Sequence, residues 1–175
     1  MFGFFKNKSG NQAPENNAQQ QDQSVQVTAP GTEIRYSPEL VDSLKSDHQD
    51  LLTLYGEIKA DFDNKNYPSV SEKLEKFKGD LQGHLLTENV RLYIYLDRSL
   101  ASDPTNSELI RGFRREMDEI AKVAMGFINK YSAIGVDEDL ANHFGEDFAT
   151  IGKVLGERIQ KEESILYPLY MPSYG

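Results

Sequence analysis

Apolar side chains recur at steps of three and four along four separate stretches of this chain, and that spacing constrains the fold more than any other feature. The first stripe is Leu40, Leu44, His48, Leu51, Tyr55, Ile58 and Phe62. The second is Val70, Leu74, Phe77, Leu81, His84, Glu88 and Tyr95, widened by Leu85 and Leu92. The third is Ile110, Phe113, Met117, Ile120, Ala124, Phe127 and Tyr131. The fourth is Leu140, Phe144, Phe148, Ile151, Leu155, Arg158, Glu162 and Ile165. Side chains at that spacing share one helical face, so each stretch predicts an amphipathic helix. The breaks between them are short, and no alternating β-branched run competes. The expected fold is an all-α, up-down-up-down four-helix bundle over residues 37–170.

Local signals place the ends. Ser37-Pro38-Glu39 predicts a capped start for the first helix, which should finish near Asn64. Ser69 with Glu72 predicts a capping box for the second, ending near Arg98. The third should run from about Ser107 to Tyr131 with Gly135 as a stop, and the fourth from Asp137–Asp139 to Pro168. Glycines 145, 152 and 156 weaken the fourth helix but allow close approach.

Residues 1–36 are a different kind of chain, rich in Asn and Gln and without apolar period, and are expected to be a disordered tether. It begins with Phe2, Phe4 and Phe5, followed by Lys6 and Lys8, a cluster suited to docking on a partner or a membrane surface. Residues 171–175 form a short C-terminal tail. No stretch has the roughly twenty apolar residues of a membrane span, so a soluble, cytoplasmic protein is expected.

Composition narrows the function. With no cysteine, thiolate metal sites, iron–sulfur clusters and thiol catalysis are excluded. Nineteen basic against 28 acidic residues, a net charge of −9, argue against a nucleic-acid surface. Walker, GxGxxG, GxSxG and HExxH signatures are absent. Attention falls on the polar residues that interrupt the stripes: His48, His84, Glu88, Arg158 and Glu162. Burying them costs free energy unless they are paired or bind something. His48 and His84 lie 18 residues either side of residue 66, inside the first loop, so antiparallel helices bring them to one level. Met117 and Arg158 mirror each other about residue 137. One layer should therefore hold all of them. Imidazole and carboxylate from facing helices suit iron, manganese or zinc. His143, 15 residues before Arg158 on one helix, falls roughly 22 Å away and is expected at the surface. Tyr93, Tyr95, Tyr167 and Tyr170 read as core or interface aromatics. Of Glu162 and Glu163, only the first should face the core.

The strings DHQDLLTLYGEI (47–58), GHLLTENVRLYIYL (83–96) and ERIQKEESILYPLY (157–170) resemble the hemerythrin-like, or HHE, family. The resemblance implies a four-helix bundle with a non-haem di-iron centre, used for oxygen binding, for sensing of oxygen or nitric oxide, or for iron–sulfur repair. It assigns His48, His84, Glu88 and Glu162 as metal ligands. Two ligand positions depart: the helix-three histidine stands here as Met117 and the helix-four histidine as Arg158. A weaker resemblance, to the Rsd/AlgQ anti-sigma family, rests on the same His, His–Glu and Arg-x-x-x-Glu pattern and is compatible with a protein-binding regulator. The resulting expectation is a degenerate site without metal. In it the Arg158 guanidinium bridges Glu88 and Glu162, in a non-enzymatic regulatory or interaction module with no preferred cofactor. The competing reading keeps non-haem iron on the four remaining ligands.

Overall fold

The computed structural model describes residues 27–173; the Phe2/Phe4/Phe5 cluster and most of the Asn/Gln-rich tail lie outside them. Four helical rods follow in order. The first is α1 (Leu40–Asp63). The second is α2 (Tyr67–Thr87), continued through a wide π turn (Glu88–Tyr93) into α3 (Ile94–Ser99). The third is α4 (Pro104–Tyr131). The fourth enters by one 3-10 turn (Glu138–Leu140), runs as α5 (Ala141–Lys161), and leaves by a second π turn (Glu162–Leu166) and a 3-10 turn (Tyr167–Leu169). Short loops make consecutive rods antiparallel, the expected up-down-up-down bundle.

The rods form where the apolar period predicts, but their ends obey different chemistry. Ser37 does not cap α1; its hydroxyl donates to Glu39, and the helix begins at Leu40. Ser69 falls inside α2, which starts two residues earlier, and its hydroxyl donates to Asp61 across the loop. The third rod starts three residues before the expected Ser107, because the Asp103 carboxylate accepts from the Asn106 N–H and Pro104 takes the first helical position. Gly135 ends no helix. It lets the α4–α5 turn lie against Pro68, whose Cα would be 3.1 Å from a Cβ at that position.

Packed structure also begins before residue 37. Within the segment expected to be a tether, residues 27–36 close a tight turn. Ala29 N–H donates to Ile34 at 2.8 Å, Tyr36 N–H to Val27 at 2.7 Å, and Gly31 supplies φ +70°. Ala29 is fully buried and Tyr36 stacks on Tyr170 at 4.9 Å, so this turn closes one end of the bundle.

The core is split in two. One half contains Leu51, Ile58, Leu74, Phe77, Leu81, Phe127, Phe144 and Phe148 near the α1–α2 and α4–α5 loops. The other contains Leu40, Leu44, Leu92, Leu96, Ile110, Phe113 and Leu166. On each rod the interrupting residue sits between the halves: His48 between Leu44 and Leu51, His84 and Glu88 between Leu81 and Leu92. Met117 follows Phe113, and Arg158 and Glu162 precede Leu166.

Close approach is required at Gly152, where a Cβ would overlap the Tyr55 ring. Tyr55 has little freedom to move, since its hydroxyl donates to the Phe148 carbonyl at 2.8 Å and its ring stacks on Phe148 at 4.0 Å. Gly152→Ala is therefore expected to lower stability by about 1–3 kcal/mol in urea titration, although alanine is the better helix former. Tyr55→Leu in the same chain should recover part of that loss.

Candidate metal centre

His48 on α1, His84 on α2, and Glu88 and Glu162 at the first positions of the two π turns meet in the layer between the core halves. All four are buried, and one ligand atom from each lies within 4.8 Å of the others. The expected convergence of these four residues is what the structure shows. Met117 and Arg158 border the same space. His143 is exposed at the far end of α5, as expected.

The π turns were not anticipated, and they change which side chains reach the layer. A π turn closes i→i+5 and inserts one extra residue, so the buried phase shifts by one. Ile165, expected in the stripe, is 46% exposed, and Leu166 and Tyr167 are buried instead. Tyr93 and Tyr167, each five residues after a layer carboxylate, turn inward beside it. The Tyr167 hydroxyl donates to Glu88 Oε1 at 2.8 Å. Tyr93 Oη accepts from Arg158 Nη2 at 2.8 Å. Sequence reasoning left both among core aromatics. A detectable signal existed: 84 and 158, 88 and 162, 92 and 166, 93 and 167 are pairs with a common offset of 74, a repeat of layer residue, carboxylate, leucine and tyrosine.

The imidazoles are held by carboxylates on their outer sides. His48 Nδ1 is 2.9 Å from Glu163 Oε1, and His84 Nδ1 is 3.1 Å from Asp47 Oδ2. A carboxylate only accepts, so each Nδ1 carries a proton and each Nε2 points inward. Asp47 and Glu163 were both missed. Glu163 does lie on the outer helical face, but its side chain is long enough to reach the imidazole nitrogen at the layer's edge.

The inner geometry is crowded with acceptors. His48 Nε2 faces His84 Nε2 at 3.2 Å, Glu162 Oε2 at 3.1 Å and Tyr167 Oη at 3.2 Å. The Tyr167 proton is committed to Glu88. A proton on His48 Nε2 satisfies one neighbour, whereas a cation among these atoms satisfies them together. Glu88 Oε2 is buried and has no hydrogen-bond partner among the described residues. The donor set and this orphaned oxygen fit a metal ion.

Arg158 departs from its expected role. It pairs with Glu162 through Nε at 2.5 Å, but it does not bridge to Glu88, whose Oε1 accepts from Tyr167 instead. The guanidinium is turned toward Tyr93 and lies 4.6 Å over the Phe113 ring. Its Nη1 lies 3.6 Å from Glu116 Oε2, beyond hydrogen-bond reach. Glu116, next to Met117 on the third rod, is exposed and pairs with Lys161 at 3.0 Å.

Charge is stabilised throughout. Burial alone pushes the Glu162 carboxyl up, but His48 and Arg158 outweigh it and hold the pKa below the ordinary value. Burial likewise pulls His84 down, and the carboxylates of Glu88, Asp47 and Glu162 together more than reverse this. Burial drives the Tyr167 and Tyr93 hydroxyls far up, so both stay phenols at neutral pH.

Four antiparallel rods that bring two imidazoles and two carboxylates into one buried layer define a helical bundle with a candidate metal site at its centre. A family model described as the hemerythrin HHE cation binding domain matches residues 39–170. The chain belongs to that family. Comparison with curated proteins and with solved structures gives no match.

Removing the guanidinium leaves Glu162 buried beside an empty volume. Arg158→Ala is expected to cost roughly 3–5 kcal/mol. Adding Glu162→Gln should recover part of it. Urea titration of the two variants checks both, and an Arg158→Ala protein as stable as wild type would contradict the pairing.

Proposed function

We propose that this hemerythrin-like domain holds one divalent transition cation and works as a non-enzymatic regulatory module. The carrying observation is His48 Nε2, which faces a second imidazole nitrogen and a carboxylate oxygen at 3.2 and 3.1 Å while its own Nδ1 is tied to Glu163. His48, His84, Glu88 and Glu162 would be the ligands. With neutral imidazoles, the Glu88 and Glu162 charges against Arg158 leave the layer at a formal −1. A single divalent ion brings it to +1. A second one meets a fixed guanidinium in low dielectric, and Coulomb repulsion opposes it. The site is thus reduced relative to the di-iron centre the family resemblance implies.

The protein's own residues preorganise this site. Asp47 and Glu163 fix the imidazole tautomers, Tyr167 fixes the Glu88 carboxylate, and the two apolar core halves pack on either side of the layer. A bound iron, manganese or zinc ion would supply Lewis acidity, and iron also redox sensitivity. The net charge of −9 favours basic partner surfaces as the regulated target.

Metal analysis of protein purified without chelator should give about one ion per chain, lost in His84→Ala. Two ions per chain would overturn the single-cation reading. No metal in either protein would favour a second reading, a metal-free layer held by the Arg158–Glu162 pair at 2.5 Å. Adding metal to chelator-treated protein at 100 times its dissociation constant should stabilise it by about 2.7 kcal/mol. Asp47→Asn should weaken metal affinity about 10- to 100-fold, read by competition with a chromophoric chelator.

A further inference from the structure

The extra residue of the second π turn has an effect at the surface. Ile165 is rotated out of the core and lines an open groove between the fourth rod and α4. From α4 come half-buried Leu109, Gly112 and Phe113. A Cβ at Gly112 would meet no heavy atom within 4 Å, so the groove is open there down to the helix backbone. Its exposed lining is mostly apolar. The charged groups along it already have partners: Glu116 pairs with Lys161 at 3.0 Å, and Glu108 with Arg115 at 3.2 Å. An apolar occupant therefore suits the groove better than an ion.

The path of the chain says what that occupant is. The described residues begin at Val27, and two residues on Ala29 is fully buried. It packs in one cluster with Ile110, Phe113 and Leu166, and Leu109 lies against the same cluster. The chain before Val27 thus joins the half of the bundle that carries the groove. Residues 6–26 separate Phe5 from Val27, and none of them has an aromatic ring or a leucine-sized apolar side chain. Phe2, Phe4 and Phe5 are the large apolar group on that side of the sequence. Twenty-one residues reach at most about 70 Å, against about 42 Å for the whole of α4. A segment tethered so closely meets the groove at an effective concentration on the order of millimolar, so even a weak contact is occupied. Lys6 and Lys8 beside it are favoured on a chain of net charge −9.

We propose that the groove between α4 and the fourth rod is the docking site of the chain's own Phe2–Phe5 segment, its rings lying over Gly112 and against Leu109, Phe113 and Ile165. Seated there, the segment withholds both the groove and the aromatic cluster from other partners, and a partner that takes one must displace the other. The contact does not require a cation in the buried layer.

The chain has no cysteine, so a single Ser9→Cys carries a nitroxide label in the full chain. The methyl resonances of Ile165 and Leu109 are followed with chelator present, which keeps the result independent of the single-cation reading. Both should be broadened when label and isotope are on the same chain, while Leu52 and Val136, elsewhere on the surface, are not. The broadening should be lost in a Phe2→Ser, Phe4→Ser, Phe5→Ser variant. It should also be lost in Gly112→Leu, which fills the groove at a position with open space. A synthetic peptide of residues 1–10 should bind the triple-serine variant about tenfold more tightly than the wild type, whose groove is filled from within. No broadening at Ile165 and Leu109, broadening retained in either variant, or equal peptide affinities would overturn the proposal. Broadening seen only when label and isotope are on different chains would overturn it in favour of a second copy. Phe-dependent binding to phosphatidylcholine–phosphatidylserine vesicles, with no broadening at the groove, would overturn it in favour of a membrane surface.

Discussion

A buried polar layer across the middle of an apolar bundle is the constraint to which the rest of this structure answers. Two carboxylates, two imidazoles, one guanidinium and two phenols are withdrawn from water there. Each is expensive to bury alone. The costs are offset only because three of the four rods contribute polar groups at one level. Arg158 neutralises Glu162, Tyr167 donates to Glu88, and the outer carboxylates accept hydrogen bonds from the imidazole Nδ1–H groups. Sliding α1 by one turn, about 5.4 Å, would set leucines against carboxylates and strand His48. The apolar halves tolerate such a slip far better than the layer does. Hydrophobic burial supplies the driving force, and the layer selects the register.

The backbone is bent to the same requirement. Glu88 and Glu162 each open a π turn, and each turn rotates a tyrosine into the layer five residues on. The partnership is crosswise. Tyr167, from the fourth rod, serves Glu88 on the second, and Tyr93, from the second, serves Arg158 on the fourth. This exchange ties the two irregular rods together at the point where their helical hydrogen bonding is least regular.

Reading the sequence found what depends on spacing and missed what depends on irregular backbone. The stripes located the four rods, and mirroring about residue 66 put His48 and His84 at one level, where their Nε2 atoms are 3.2 Å apart. A period of 3.6 cannot anticipate an inserted residue, so Tyr93 and Tyr167 were read as packing and Ile165 was placed in the core. The caps at Ser37 and Ser69 failed because their hydroxyls found carboxylates, Glu39 and Asp61. Arg158 was correctly placed in the layer but given one partner too many. A guanidinium holding Glu162, reaching Tyr93 and lying over Phe113 is not also set on Glu88.

The 74-residue repeat sharpens what Arg158 means. Its counterpart in the first half is His84, so equivalent positions on the two π-turned rods hold an imidazole in one case and a permanent cation in the other. The scaffold around them is the same: a carboxylate four residues on, a tyrosine five further. A symmetric layer with histidine at both positions would keep two uncompensated carboxylates. Exchanging one histidine for arginine halves that charge without moving any rod, because the guanidinium sits on the carboxylate of its own helix. The same residue keeps one guanidinium N–H without a hydrogen bond, 3.6 Å from the Glu116 carboxylate. One departure in a repeated pattern thus sets the net charge of the whole layer.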